Sequence, residues 1–139
     1  MYLIRLQAFM TSLMVALLPS CIKYSPEEIR LEELSGIYSG DTYENESLEL
    51  RKNLTFFHKF RGKDEQNLEN EGTFANLSLI EGTWYMSLTG FYSKNDYDEM
   101  RPKVTNSSSV FEVYKKNGKF ILCHWIGSLE DYNCFVKQD

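Results

Sequence analysis

Three cysteines and two histidines are the side chains of this 139-residue chain with the most chemistry to offer. They are Cys21, Cys123, Cys134, His58 and His124. A protein metal site recruits several His, Cys or carboxylate ligands at set spacings. Cys123 and His124 are neighbours, and neighbours on a strand point to opposite faces, so they do not readily share an ion. A Gly-x-Ser-x-Gly elbow, a phosphate loop and a dinucleotide fingerprint are all missing. Asp41, Glu44 and Glu46 form an acidic cluster of the kind that can do acid–base work, but in an acidic chain such a run reads as solvated. Asp96, Asp98 and Glu99 lack the glycine and closing glutamate of an EF-hand loop. The expectation is a non-enzyme with no cofactor and no metal.

Compartment is more legible than activity. Residues 1–20 have the layout of an export signal: Arg5 gives a short positive start, Leu6 to Leu18 carries no charge, and Ser20 stands just before Cys21. The apolar run is shorter than the roughly 20 residues of a membrane-spanning helix and ends at Pro19. A signal removed just before a lipidated Cys21 is therefore expected; a retained anchor, or cleavage without lipid because Pro19 stands where a small or β-branched residue is usual, is the alternative. Ile22 follows where, in enteric sorting, an aspartate would hold the protein at the inner membrane, which favours the periplasmic side of a bacterial outer membrane. Four Asn-x-Ser/Thr motifs would matter only in a eukaryotic secreted protein. Lipid on Cys21 leaves an even pair, Cys123 and Cys134, in an oxidising compartment.

Removing residues 1–20 leaves one domain's worth of chain with fourteen basic and twenty acidic residues, a net charge of −6. That charge repels phosphate backbones and excludes nucleic acid as a partner. Nine Phe, nine Tyr and two Trp suit half-buried pleated surfaces. The expected architecture is all-β: an antiparallel barrel or strongly curved meander of about eight strands over 36–139, preceded by a lipidated tether and short helix over 21–35. Ser25-Pro26-Glu27-Glu28 reads as a capping box opening that helix, and Gly36 ends it.

Strands are expected at Gly36–Tyr43, Ser47–Arg51 and Thr55–Arg61, with Phe56, His58 and Phe60 on one face. A charged loop follows over Gly62–Asn70, then a hairpin of Gly72–Leu79 and Thr83–Tyr92. Ser93–Ser107 is the longest irregular stretch, a length that often carries function. Leu54 occupies a turn position where glycine would be more comfortable. The clearest local signal is Asn117-Gly118, which suits a type I′ hairpin between Ser109–Lys116 and Lys119–Ile126. Its register places Phe111 opposite His124, Val113 opposite Leu122 and Glu112 opposite Cys123. Phe111, Val113, Phe120 and Leu122 then share the core face. A closing strand, Tyr132–Lys137, sets Cys134 opposite Cys123 on the other face, and a disulfide is expected there.

The order of pieces carries a resemblance. Leu34-Ser35-Gly36-Ile37-Tyr38, Leu48-Glu49-Leu50-Arg51-Lys52-Asn53-Leu54-Thr55-Phe56, Gly72-Thr73-Phe74, Gly118-Lys119-Phe120-Ile121-Leu122 and Phe135-Val136-Lys137 follow a signal ending in cysteine and a short acidic helix. The chain resembles a group of small bacterial lipoproteins with a lipocalin-like β-barrel, whose members are largely uncharacterised. That resemblance implies an antiparallel barrel at the cell envelope and no catalytic residues.

Two binding roles compete. One is a protein-binding module, such as an immunity or inhibitor protein for an envelope partner, with Tyr92, Tyr97 and Asp98 of the long loop as contacts; an acidic surface speeds association with a basic partner. The other is a carrier of a small apolar ligand, with Phe56, His58, Phe60 and Trp84 lining a barrel pocket. Membrane attachment would come through the lipid anchor.

Overall fold

In a computed structural model that describes residues 27–126 and 131–139, the chain forms a closed barrel of eight antiparallel strands in sequence order. The strands are β1 (Gly36–Gly40), β2 (Ser47–Leu50), β3 (Thr55–Arg61), β4 (Asn67–Ile80), β5 (Thr83–Thr89), β6 (Ser108–Lys116), β7 (Lys119–Trp125) and β8 (Tyr132–Lys137). β8 closes on β1 through Tyr38 opposite Lys137 and Gly40 opposite Phe135. Apart from a bulge in β4, the strands alternate core and solvent side chains, so the inward faces converge on the axis.

Up-and-down connectivity gives the barrel two unlike mouths. The loop mouth carries the longer connections 41–46, 62–66 and 90–107, and β7 ends and β8 begins there. The other, named the tether mouth for the attachment expected upstream of Glu27, carries the tight turns after β2, β4 and β6, together with both ends of the described chain. Asn117 and Gly118 both adopt positive φ, 52° and 77°, and the β6–β7 register has Lys116 opposite Lys119 and Phe111 opposite His124, as the turn chemistry demanded. Leu54 sits at φ 63° in its turn, a left-handed conformation that costs a leucine free energy.

Three expectations need correction. A helix from Ser25 does not form over the described residues: Glu27–Arg30 is not helical, and one 3-10 turn, Leu31–Leu34, follows. Ile29 and Leu34 are both buried in the core cluster, and the Tyr38 hydroxyl donates to the Leu34 carbonyl at 2.7 Å, so tertiary burial overrides the local helix signal. The charged loop is only 62–66, because β4 starts at Asn67 and pairs fully with β3. The long connection is not wholly irregular, since Ser93 caps a short helix, α1 (Lys94–Asp98), in a box with Asp96. The lipidation site Cys21, the signal over 1–20 and Ser25-Pro26 lie outside the described residues.

Cys123 and Cys134 face each other across β7 and β8 and form a disulfide. It clips the closing strand to the barrel across a separation of 11 residues. The double variant Cys123→Ser/Cys134→Ser is expected to lose about 2–3 kcal/mol in the chain-entropy picture, read from urea unfolding. Unchanged stability would show that the β-ladder alone holds β8.

Candidate functional site

The barrel axis is occupied by aromatic rings. Phe91 packs at 5.0 Å from Phe111 and 6.0 Å from Phe56, and Phe111 lies 6.3 Å from Phe135. His58 stacks on Phe60 at 5.0 Å and meets Phe91 at 4.6 Å. Of the four residues expected to line a pocket, Phe56, His58 and Phe60 are thus packed into one core. Trp84 is placed apart from them at the tether mouth, where its indole N–H donates to the Glu27 carbonyl at 3.2 Å.

A polar network is built into the loop-mouth side of this core. Asn70 pairs with the backbone of Tyr92: its Nδ2 donates to the Tyr92 carbonyl at 2.9 Å and its Oδ1 accepts from the Tyr92 N–H at 3.3 Å. That pairing fixes the amide, so Nδ2 also points at His58 Nδ1, 3.0 Å away. Nδ1 must then accept, which leaves the ring proton on Nε2, where it is donated to Glu46 Oε1 at 2.7 Å. Asn133 Nδ2 contributes a further donor to Glu46, at 3.2 and 3.0 Å from its two oxygens. All four residues are buried. Glu46 therefore corrects the reading of Asp41, Glu44 and Glu46 as a solvated run: its backbone carbonyl accepts from Gly40 N–H, and its side chain turns into the barrel.

Both ring nitrogens of His58 are taken by protein partners, so the ring has none to offer a substrate or an ion. What the network does is mechanical. It ties the 41–46 connection, β3, β4, β8 and the start of the 90–107 connection into one unit. Among the described residues no group of three or more His, Cys, Asp or Glu is placed to hold a metal. No described helix is long and apolar enough to cross a membrane.

His124 faces inward beside the network, stacked on Phe111 at 5.0 Å, with Nδ1 buried and unpartnered among the described residues. Burial holds its pKa below the ordinary value; His58 nearby adds to this, while Asp96 and Glu46 oppose it. The unfolded chain titrates near 6.5 and the folded chain lower, so between those values the unfolded state binds more protons. Stability from this residue is full above about pH 6.5 and is lost as pH falls through the folded value. The His124→Phe variant, which keeps a ring in place, is expected to show a shallower fall in thermal midpoint from pH 7.5 to 5 (conditions chosen to bracket roughly the free imidazole value). Parallel curves would remove His124 from the pH response.

The residues expected as partner contacts hold the loop mouth together. The Tyr97 hydroxyl donates to Asp64 Oδ2 at 2.7 Å, and this bond raises the tyrosine pKa and lowers that of the aspartate. Asp98 accepts from the Lys63 backbone N–H at 2.8 Å and pairs with Lys94. The Tyr92 hydroxyl donates to the Arg101 carbonyl at 2.6 Å. Tyr92 and Tyr97, with Lys63, Asp64, Met100 and Arg101, line a groove of about 410 Å³, in which Met100 is the most exposed apolar side chain. Sequence reasoning missed Met100, although an apolar residue between acidic and basic neighbours in a long loop was the available signal.

No family model matches the chain, and no curated protein or solved structure matches it.

Proposed function

We propose that this is a lipid-anchored cell-envelope protein, tethered through Cys21, whose lipocalin-like barrel is a non-catalytic module that binds an envelope protein, as an immunity or inhibitor protein would. The observation that carries this reading is the packed axis. Phe60, Phe91 and Phe135 pack on His58, and Phe56 and Phe111 pack on Phe91, where a carrier would keep space for its ligand. Recognition then falls to the outside, and the loop mouth offers aromatic, methionine and arginine side chains in one groove, the composition enriched in protein interfaces. The disulfide supports an oxidising compartment.

Native mass spectrometry of the protein gently purified from its own envelope fraction tests the reading. A one-to-one polypeptide that is lost with Met100→Asp is expected. Met100 is the cleaner probe, because changing Tyr97 or Asp98 also disturbs the loop. A bound mass of a few hundred daltons in place of a polypeptide would establish the carrier instead.

A further inference from the structure

We propose that the tether mouth is a membrane-seating surface: Leu54 and the Leu79–Ile80 tip rest on the bilayer that holds the anchor. The inference builds on the Cys21 anchor and adds which end of the barrel meets the lipid and which side chains touch it.

The first argument is reach. Glu27 is fixed at the tether mouth by two contacts, its carbonyl to Trp84 Nε1 at 3.2 Å and its Oε1 to Lys115 Nζ at 2.7 Å. Six Cα–Cα steps separate it from Cys21, which spans at most about 20 Å when fully extended. A barrel on so short a leash cannot wander far from the lipid surface.

The second argument is what the turns display. Turn tips ordinarily carry polar residues or glycine. Here Leu54 is 41 % exposed, Leu79 45 % and Ile80 55 %. Leu54 holds a positive φ that glycine would hold more cheaply, yet the fold leaves it exposed. Apolar side chains at the headgroup–acyl boundary gain the burial they lack in water.

The third argument is charge. The acidic surplus of the chain lies at the loop mouth, where Asp41, Glu44, Asp64, Asp96, Asp98 and Glu99 gather. At the tether mouth the charges balance: Glu27 pairs with Lys115, Asp139 with Lys119, and Glu32 and Glu33 stand with Arg30 and Lys137. Lys52 and Lys116 offset Glu28 and Glu81. Anionic headgroups are not repelled from this end as they are from the other.

Hydrogen exchange on the full-length gene product tests the surface. The protein is extracted from bacterial membranes, weighed intact, and reconstituted into vesicles of phosphatidylethanolamine with a minority of phosphatidylglycerol. Relative to the same protein in detergent-free solution after release of the anchor, amides in 52–54 and 80–82 are expected to exchange several-fold more slowly, with 99–105 unchanged. The variant Leu54→Asn/Ile80→Thr, whose residues suit those backbone conformations, is expected to lose that protection while staying folded by circular dichroism. Protection at 99–105, around Met100 and Val104, would overturn the proposal, as would protection at neither mouth or protection that survives the variant. An intact mass without acyl groups overturns the anchor and this surface together; a lipidated mass with no protected turn overturns the surface alone.

Discussion

His58→Leu is expected to destabilise the fold by about 2–6 kcal/mol, because it leaves two buried groups, Glu46 and Asn70, each short of a hydrogen-bond partner. Leucine nearly fills the volume, so the loss comes from polarity. Glu46 would keep only Asn133 as a side-chain donor, and Asn70 would lose the acceptor for one of its two amide hydrogens. Glu46→Gln, which preserves shape and one acceptor oxygen, should cost less, because its carbonyl can still accept from His58 Nε2–H. Equilibrium unfolding in urea reads both, and the ordering matters more than either value. If His58→Leu proved as stable as the wild type, the network would be dispensable and its tie to Tyr92 irrelevant. A second readout is local. Since Asn70 holds the Tyr92 backbone, His58→Leu should also raise protease cleavage within 93–107 under conditions where the barrel stays folded.

Gly72→Ala carries the other large effect. Gly72 lies opposite Phe56 across β3 and β4. A Cβ there would stand 2.0 Å from the Thr89 carbonyl oxygen and 2.8 Å from Phe56 Cε1. The first of these is backbone and cannot swing aside, so β5 must shift or the core ring must move. Overpacking of this kind costs typically about 1–3 kcal/mol and sometimes more, and the backbone clash puts this case at the upper end. Because β5 also pairs with β6, the strain is not absorbed locally. Gly82→Ala makes the contrast: that glycine has open space around it and pays only for its positive φ of 83°. Thermal melts in which the two variants fell equally would remove the close approach as the reason for glycine at 72.

What could be read from the sequence was local. Asn117-Gly118 dictates a hairpin and the hairpin sets the β6–β7 register, while a closing strand that pairs back on β7 brings Cys134 opposite Cys123; each step needs only near neighbours. The alternation Phe56, His58, Phe60 likewise announces an inward face. Asn76 was harder. It takes φ 59° and creates a bulge between Ala75 and Ser78, and the extra residue brings Leu77 against the core where simple alternation from Phe74 would place Asn76. An asparagine inside a strand was the signal, but nothing local separates a bulge from an ordinary polar position. Glu46 was illegible for a different reason. Its donors come from β3 and β8, and a carboxylate is buried only because those partners arrive from far along the chain. The same holds for 27–34, where core contacts with distant strands outweigh a capping sequence.

Closure of β8 on β1 has a consequence for how the molecule is made. The first strand to leave the ribosome finds its second neighbour only in the last, with almost the whole chain between Tyr38 and Lys137. Until Tyr132–Lys137 emerges, both β1 and β7 offer unpaired edges to any other extended segment nearby. A product truncated before Tyr132 would be a seven-stranded open sheet, not a slightly smaller barrel. Completion of β8 thus decides whether the chain becomes a sealed cylinder or an adhesive ribbon.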